Sequence, residues 1–190
     1  AAVRDAPRTG APVRDLLGAT EHVDFPHTCR VQIPRILAAQ VPLLCSRRML
    51  AALTAASGLP QVAADRIAAL GFCFGGMCVL DLARSGADIR GVISMHGLLK
   101  LNGLPSEPIR AKVLALHGHD DPLAPPEDVR AFQEEMTAGQ VDWQMHIYGG
   151  TMHAFTNPKA NTRAAGLLYN PVAERRAWAA MLDFLSEIMR

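Results

Sequence analysis

Cys73, in the run Gly71, Phe72, Cys73, Phe74, Gly75, Gly76, is the side chain of this 190-residue chain best placed to act as a nucleophile. The run follows an apolar stretch ending at Phe72 and precedes a helical one, which is the glycine, any residue, nucleophile, any residue, glycine spacing of a strand-to-helix elbow. The demand is steric. A sharp turn lifts the central side chain, and Gly71 and Gly75 let neighbouring backbone come close, with Gly76 adding room. The helix start beyond it offers unpaired N–H groups and the positive end of a dipole, which suit a sulfur that must carry negative charge.

A thiol needs a base, and His153 is the candidate: it follows an apolar run ending at Tyr148 and the pair Gly149 and Gly150, in a loop that can reach the carboxyl edge of a sheet. The orienting acid is Asp121, in the loop His117, Gly118, His119, Asp120, Asp121, Pro122 that follows the apolar run Val113 to Leu116. The chain order nucleophile, acid, base is the order of α/β hydrolases. Two plainer readings stand beside this one. Free cysteines are often small buried hydrophobes, a role that suits Cys78 well, set among Met77, Val79 and Leu80. His117, His119 and Asp121 alternate like half of a metallohydrolase zinc motif, but Pro122 stands where a further histidine belongs. No metal and no cofactor is expected.

These side chains require a sheet edge to hold them. From residue 46 onward, strand and helix patterns alternate with short connections. Helices are expected over Arg47 to Ala56, Gly76 to Ala83, Pro126 to Thr137 and Val172 to Met189, the last amphipathic through Trp178, Met181, Leu182, Leu185 and Ile188. Strands are expected over Ala68 to Phe72, Val92 to Met95, Val113 to Leu116 and Val141 to Tyr148. Short continuous apolar strands interleaved with helices imply an α/β fold with a mainly parallel sheet covered on both faces. Residues 46–190 form one core in this reading. Residues 1–45, interrupted by Pro7, Pro26, Pro34 and Pro42, stay unassigned apart from a short helix near Ile36 to Ala39.

Composition narrows the function. The formal charge of +1 and the scattered Lys100, Lys112 and Lys159 give no footprint for nucleic acid. No apolar run reaches the length of a membrane-spanning helix, and the amino terminus lacks the order of a secretory signal. Cys29, Cys45, Cys73 and Cys78 lack the paired short spacings of a zinc ribbon or a disulfide framework. A cytoplasmic protein with free thiols is expected. The chain opens on Ala1 and not Met, so it reads as processed, trimmed or incomplete.

Taken together, these motifs resemble the dienelactone hydrolase family. The resemblance runs from Arg47 and Met49 through Val62 to Gly76, Ser94, His96, Gly97 and Leu98, Ala111 to Pro126, Asp142 to Gln144, Tyr148 to Pro158, and on to Trp178 and Phe184. It implies an α/β-hydrolase-like fold with Cys73 as nucleophile, Asp121 as acid and His153 as base, cleaving small lactones or activated esters through an acyl-enzyme. Asp121 takes that role because it stands three residues after Gly118 and is followed by Pro122 and Pro125. The backbone N–H of Phe74 would form one arm of the oxyanion hole. The resemblance also implies further amino-terminal strands, a second oxyanion donor and a cysteine-activating acid, none of which is legible in residues 1–45; Glu21 has no strand before it. Part of the N-terminal sheet is therefore expected to be lacking, leaving an edge that a homo-oligomer could cover and activity that is weak without it.

Phe72, His96, Trp143 and Phe155 lie near the motifs and are candidate pocket residues, with packing as their alternative role. The competing function is a hydrolase-fold binding or scaffolding protein without catalysis. Thiol sensing lacks a resolving cysteine beside Cys73, and the glycine spacing does not form a dinucleotide fingerprint.

Overall fold

The structure, a computed structural model, describes residues 41–101, 103 and 106–190, with side chains from residue 46 onward. Helix α1 (Val41–Ser57) leads to β1 (Ala68–Phe72), α2 (Phe74–Arg84), β2 (Gly91–Met95), β3 (Lys112–Gly118), α3 (Pro126–Ala138) and β4 (Trp143–Tyr148). A short ribbon of β5 (Asn161–Thr162) and β6 (Leu167–Leu168), joined by a 3-10 turn, precedes α4 (Pro171–Ile188). The four main strands form one parallel sheet in the order β1-β2-β3-β4. The fold is thus the mainly parallel α/β-hydrolase-like sheet expected, flanked by helices on both faces.

Two-residue periodicity divides the core. Val92, Val113 and Ala115 face Met49 of α1, Val79 and Leu82 of α2, and Phe132 and Met136 of α3. Ile93, Met95, Leu114 and Leu116 face the other way, onto Ala173, Ala177, Met181, Phe184 and Ile188 of α4. β2 is buried along its whole length, as a strand covered on both faces must be. β1, with no partner on its outer side among the described residues, is half-buried except at Gly71. Arg84 ties α2 to α3: its guanidinium donates to both carboxylate oxygens of Glu135 at 2.8 and 2.7 Å, to Asp81 at 3.1 Å and to the Leu99 carbonyl at 3.1 Å.

Some expectations shift. α1 is already helical from Val41, six residues before the expected start at Arg47. α2 starts at Phe74 and not Gly76, since the whole change of direction is made at Cys73. Leu182 is 60 % exposed, and Phe184 is buried instead. The expected helix near Ile36 to Ala39, together with Glu21 and the side chains of Cys29 and Cys45, lies outside what is described.

Candidate active site

Cys73 is the residue between β1 and α2, and its backbone takes φ 54° and ψ −121°. Gly71 is required here: a Cβ on it would stand 1.9 Å from the Gly75 carbonyl oxygen. The Cys73 carbonyl accepts from the amides of Gly76 at 2.9 Å and Met77 at 3.4 Å, so the helix is capped by backbone and the thiol is left for other work. Phe74 N–H, in the first helical turn, has no acceptor within the helix. It is the first amide after the sulfur-bearing residue.

The sulfur faces His153 Nε2 at 3.0 Å, and His153 Nδ1 pairs with Asp121 Oδ2 at 2.7 Å. The other Asp121 oxygen accepts from Leu123 N–H at 2.8 Å, which fixes the carboxylate. His153 and Asp121 are buried, whereas Cys73 is partly open to solvent. Burial alone would push His153 toward its neutral form, but the hydrogen bonds to Asp121 and Cys73 outweigh it and carry the imidazole up to about 9. At neutral pH the ring is therefore a cation set between a carboxylate and a sulfur.

The loops carrying acid and base are stitched together. His119 N–H donates to the Tyr148 carbonyl and Asp120 N–H to the Thr151 carbonyl, each at 2.9 Å. The ribbon holds the base: His153 N–H donates to the Gly166 carbonyl at 2.9 Å, and Leu168 N–H to the His153 carbonyl at 3.1 Å. Gly166 adopts φ 73°, and a Cβ there would meet Pro122 Cγ at 2.2 Å. The ribbon thus touches the acid loop as well. Its strands of two residues carry no periodic pattern, so the sequence reading missed it.

The candidate pocket residues separate. His96, at the end of β2, is buried; its Nδ1 lies 3.2 Å from Cys73 N and its Nε2 2.8 Å from Thr156 Oγ1. Phe155 is fully buried and packs on His96 and Tyr148. Phe72 lies between His96 and Trp178. Trp143 must be corrected: it opens β4 opposite Val113, at the other end of the sheet, and packs edge-to-face with Phe132. The order of the strand, invisible in simple closeness along the chain, takes it away from Cys73. His117 is buried with Nδ1 unpaired, and burial holds it below the ordinary histidine range. Among the described residues, no three of His, Cys, Asp and Glu gather as metal ligands, and no helix is long and apolar enough to cross a membrane.

Comparison with known proteins agrees with this geometry. The model of the dienelactone hydrolase family matches residues 24–189, beginning inside the segment left unassigned from sequence. The protein K02A2.1 of Caenorhabditis elegans is 41 % identical over 144 residues, 74 % of this chain and 91 % of that protein. A probable 2-oxo-3-(5-oxofuran-2-ylidene)propanoate lactonase of a Bradyrhizobium species is 33 % identical over 134 residues, 65 % of this chain and 51 % of the lactonase. The chain likewise spans about half the length of most other curated relatives it matches. Among solved structures, a dienelactone hydrolase-like promiscuous phosphotriesterase from metagenomic libraries superposes with a TM-score of 0.72 at 35 % identity, covering 84 % of this chain and 71 % of that one. A parallel sheet with a cysteine elbow and a buried His–Asp pair at its carboxyl edge, matched by the family model over most of its length, places this chain in the dienelactone hydrolase family.

Proposed function

We propose that the chain is a cysteine-dependent hydrolase of small lactones or carboxylic esters, with Cys73 as nucleophile, His153 as acid and base, and Asp121 as the group that orients the imidazole. The observation that carries the reading is the unbroken line from Asp121 Oδ2 through His153 to Cys73 Sγ, with contacts of 2.7 and 3.0 Å. The sulfur, its proton held on His153, attacks the carbonyl carbon, and the oxyanion is met by Phe74 N–H. Collapse breaks the C–O bond, and His153 gives its proton to the departing alkoxide. The thioester removes the charge on sulfur that helped to raise His153, so the imidazole becomes a base able to take a proton from water. Hydroxide attacks the thioester, the carboxylic acid leaves, and the thiolate and imidazolium are restored.

Trapping with a panel of lactones, activated esters and a phosphotriester, followed by mass measurement of the modified peptide, tests this. An adduct on Cys73 that disappears in Cys73→Ala is the expected outcome. Folded protein that forms no adduct with any of them would favour the second reading, a hydrolase-fold binding protein, which draws on the outer edge of β1, unpaired among the described residues. We further read that edge as one a second copy covers, which sedimentation would show as a dimer. A cytoplasmic setting suits the two described cysteines, both free thiols.

A further inference from the structure

We propose that His96 is a positioning residue that locks the nucleophile elbow to the loop of the base, by accepting a hydrogen bond from Cys73 N–H and donating one to Thr156. The inference rests on the hydrolase reading of the Cys73 site and assigns a role to a residue outside its triad.

The geometry leaves one tautomer. Cys73 N is a donor, so His96 Nδ1, 3.2 Å away, accepts and carries no proton. The proton of the neutral ring therefore sits on Nε2, aimed at Thr156 Oγ1 at 2.8 Å. Thr156 stands three residues after His153 in the same loop. One imidazole thus spans from the backbone of the nucleophile to the loop of the base, and the separation between Sγ and Nε2 of His153 depends on it. Cys73 N–H is shared, since the Met95 carbonyl also accepts it at 3.0 Å.

The surroundings fit this use. His96 has φ 39° and Ala154, next to the base, φ 57°; with Cys73 they are three of the four non-glycine residues at positive φ among those described. Strained backbone of this kind persists where its surroundings over-determine it. The His96 ring is held edge-on to Phe155, with centroids 5.3 Å apart, and to His153 at 5.0 Å. Charged groups that act on it are His153 and Asp121. Burial, reinforced by the His153 cation, keeps the ring neutral down to about 3, so its acceptor nitrogen survives across the working range.

Side-chain amides separate the two nitrogens: Asn presents its oxygen near the place of Nδ1, and Gln presents its nitrogen near that of Nε2. Each amide keeps one end of the bridge and loses the other, so His96→Asn and His96→Gln should each lose roughly 10-fold in kcat/KM, about one buried hydrogen bond, and His96→Phe, which loses both, roughly 100-fold. The loss should fall on kcat with little change in KM, and the pH profile of Cys73 alkylation by iodoacetamide should shift in all three variants, most in Phe. An amide variant with parental kcat/KM would show that its missing bond does not hold the elbow to the loop, and would overturn the assignment. Should a variant fail to fold, nitrogen NMR of histidine-labelled parent protein gives the answer directly: His96 must show a bare Nδ1 and a protonated Nε2, and the opposite tautomer would exclude the proposed bond. Absence of turnover in the parent would count against the hydrolase reading alone, because alkylation and the tautomer still report on His96.

Discussion

At φ 54° and ψ −121°, Cys73 occupies backbone space that side chains avoid, at a cost on the order of 1–3 kcal/mol. Comparing Cys73→Gly with Cys73→Ala isolates that cost, since both remove the sulfur. Glycine ordinarily makes a chain less stable than alanine, but here we expect Gly to be the more stable by about 1 kcal/mol in urea unfolding. A more stable Ala variant would mean that position 73 is relaxed. The same deletion bears on the base. His153 reaches about 9 partly through Cys73, so in Cys73→Ala its NMR titration midpoint should fall, with Asp121 alone still opposing burial. An unchanged midpoint would show that the sulfur and the imidazole do not communicate. Cys73, Asp121 and His153 were legible because each follows an apolar strand in a recognisable order. The partnership of His96 and Thr156 was not, because their hydrogen bond crosses 60 residues of chain and leaves no local pattern.

Between elements, the Arg84 guanidinium carries the junction of α2 with α3. Arg84→Ala should destabilise the fold by about 3–5 kcal/mol in urea, as expected when a buried ion-pair network loses its cation. A change below about 1 kcal/mol would identify the network as a surface-like pair. α4 depends on a different device: Asn170 accepts from the amides of both Val172 and Ala173 at 3.1 Å and donates to Thr151 at 3.0 Å. Asn170→Ala should cost about 1–2 kcal/mol, checked by the same unfolding curves. Strand and helix identities were readable wherever a run was long: β1 has the limits expected from its apolar stretch. Faces were harder. Leu182 follows Met181 by one residue and so turns about 100° away from the buried line through Ala177, Met181 and Phe184. Trp143 could be placed in a strand from sequence, but which end of that strand meets the site is a matter of register.

The molecule as a whole should be most stable in a narrow band of pH. His153 is raised above its ordinary 6.5, so the stability it contributes is complete below 6.5 and is lost as pH climbs through about 9. His96 is depressed, so its contribution is complete above 6.5 and is lost as pH falls toward about 3, with His117 acting in the same direction. Urea midpoints measured against pH should therefore fall on both sides of roughly 6.5; in Asp121→Asn the alkaline limb should shrink, and a limb that keeps its full height would assign it elsewhere. The reach of the family match back to residue 24 was not visible through the prolines of that segment. Gly166, whose carbonyl holds the His153 amide and which has no room for a side chain beside Pro122, has a kinetic meaning. Base and acid cannot breathe separately: the amides of His153 and Leu168 should exchange with deuterium at one common rate, set by detachment of the ribbon, so the lifetime of the assembled site can be timed in resting protein without any substrate.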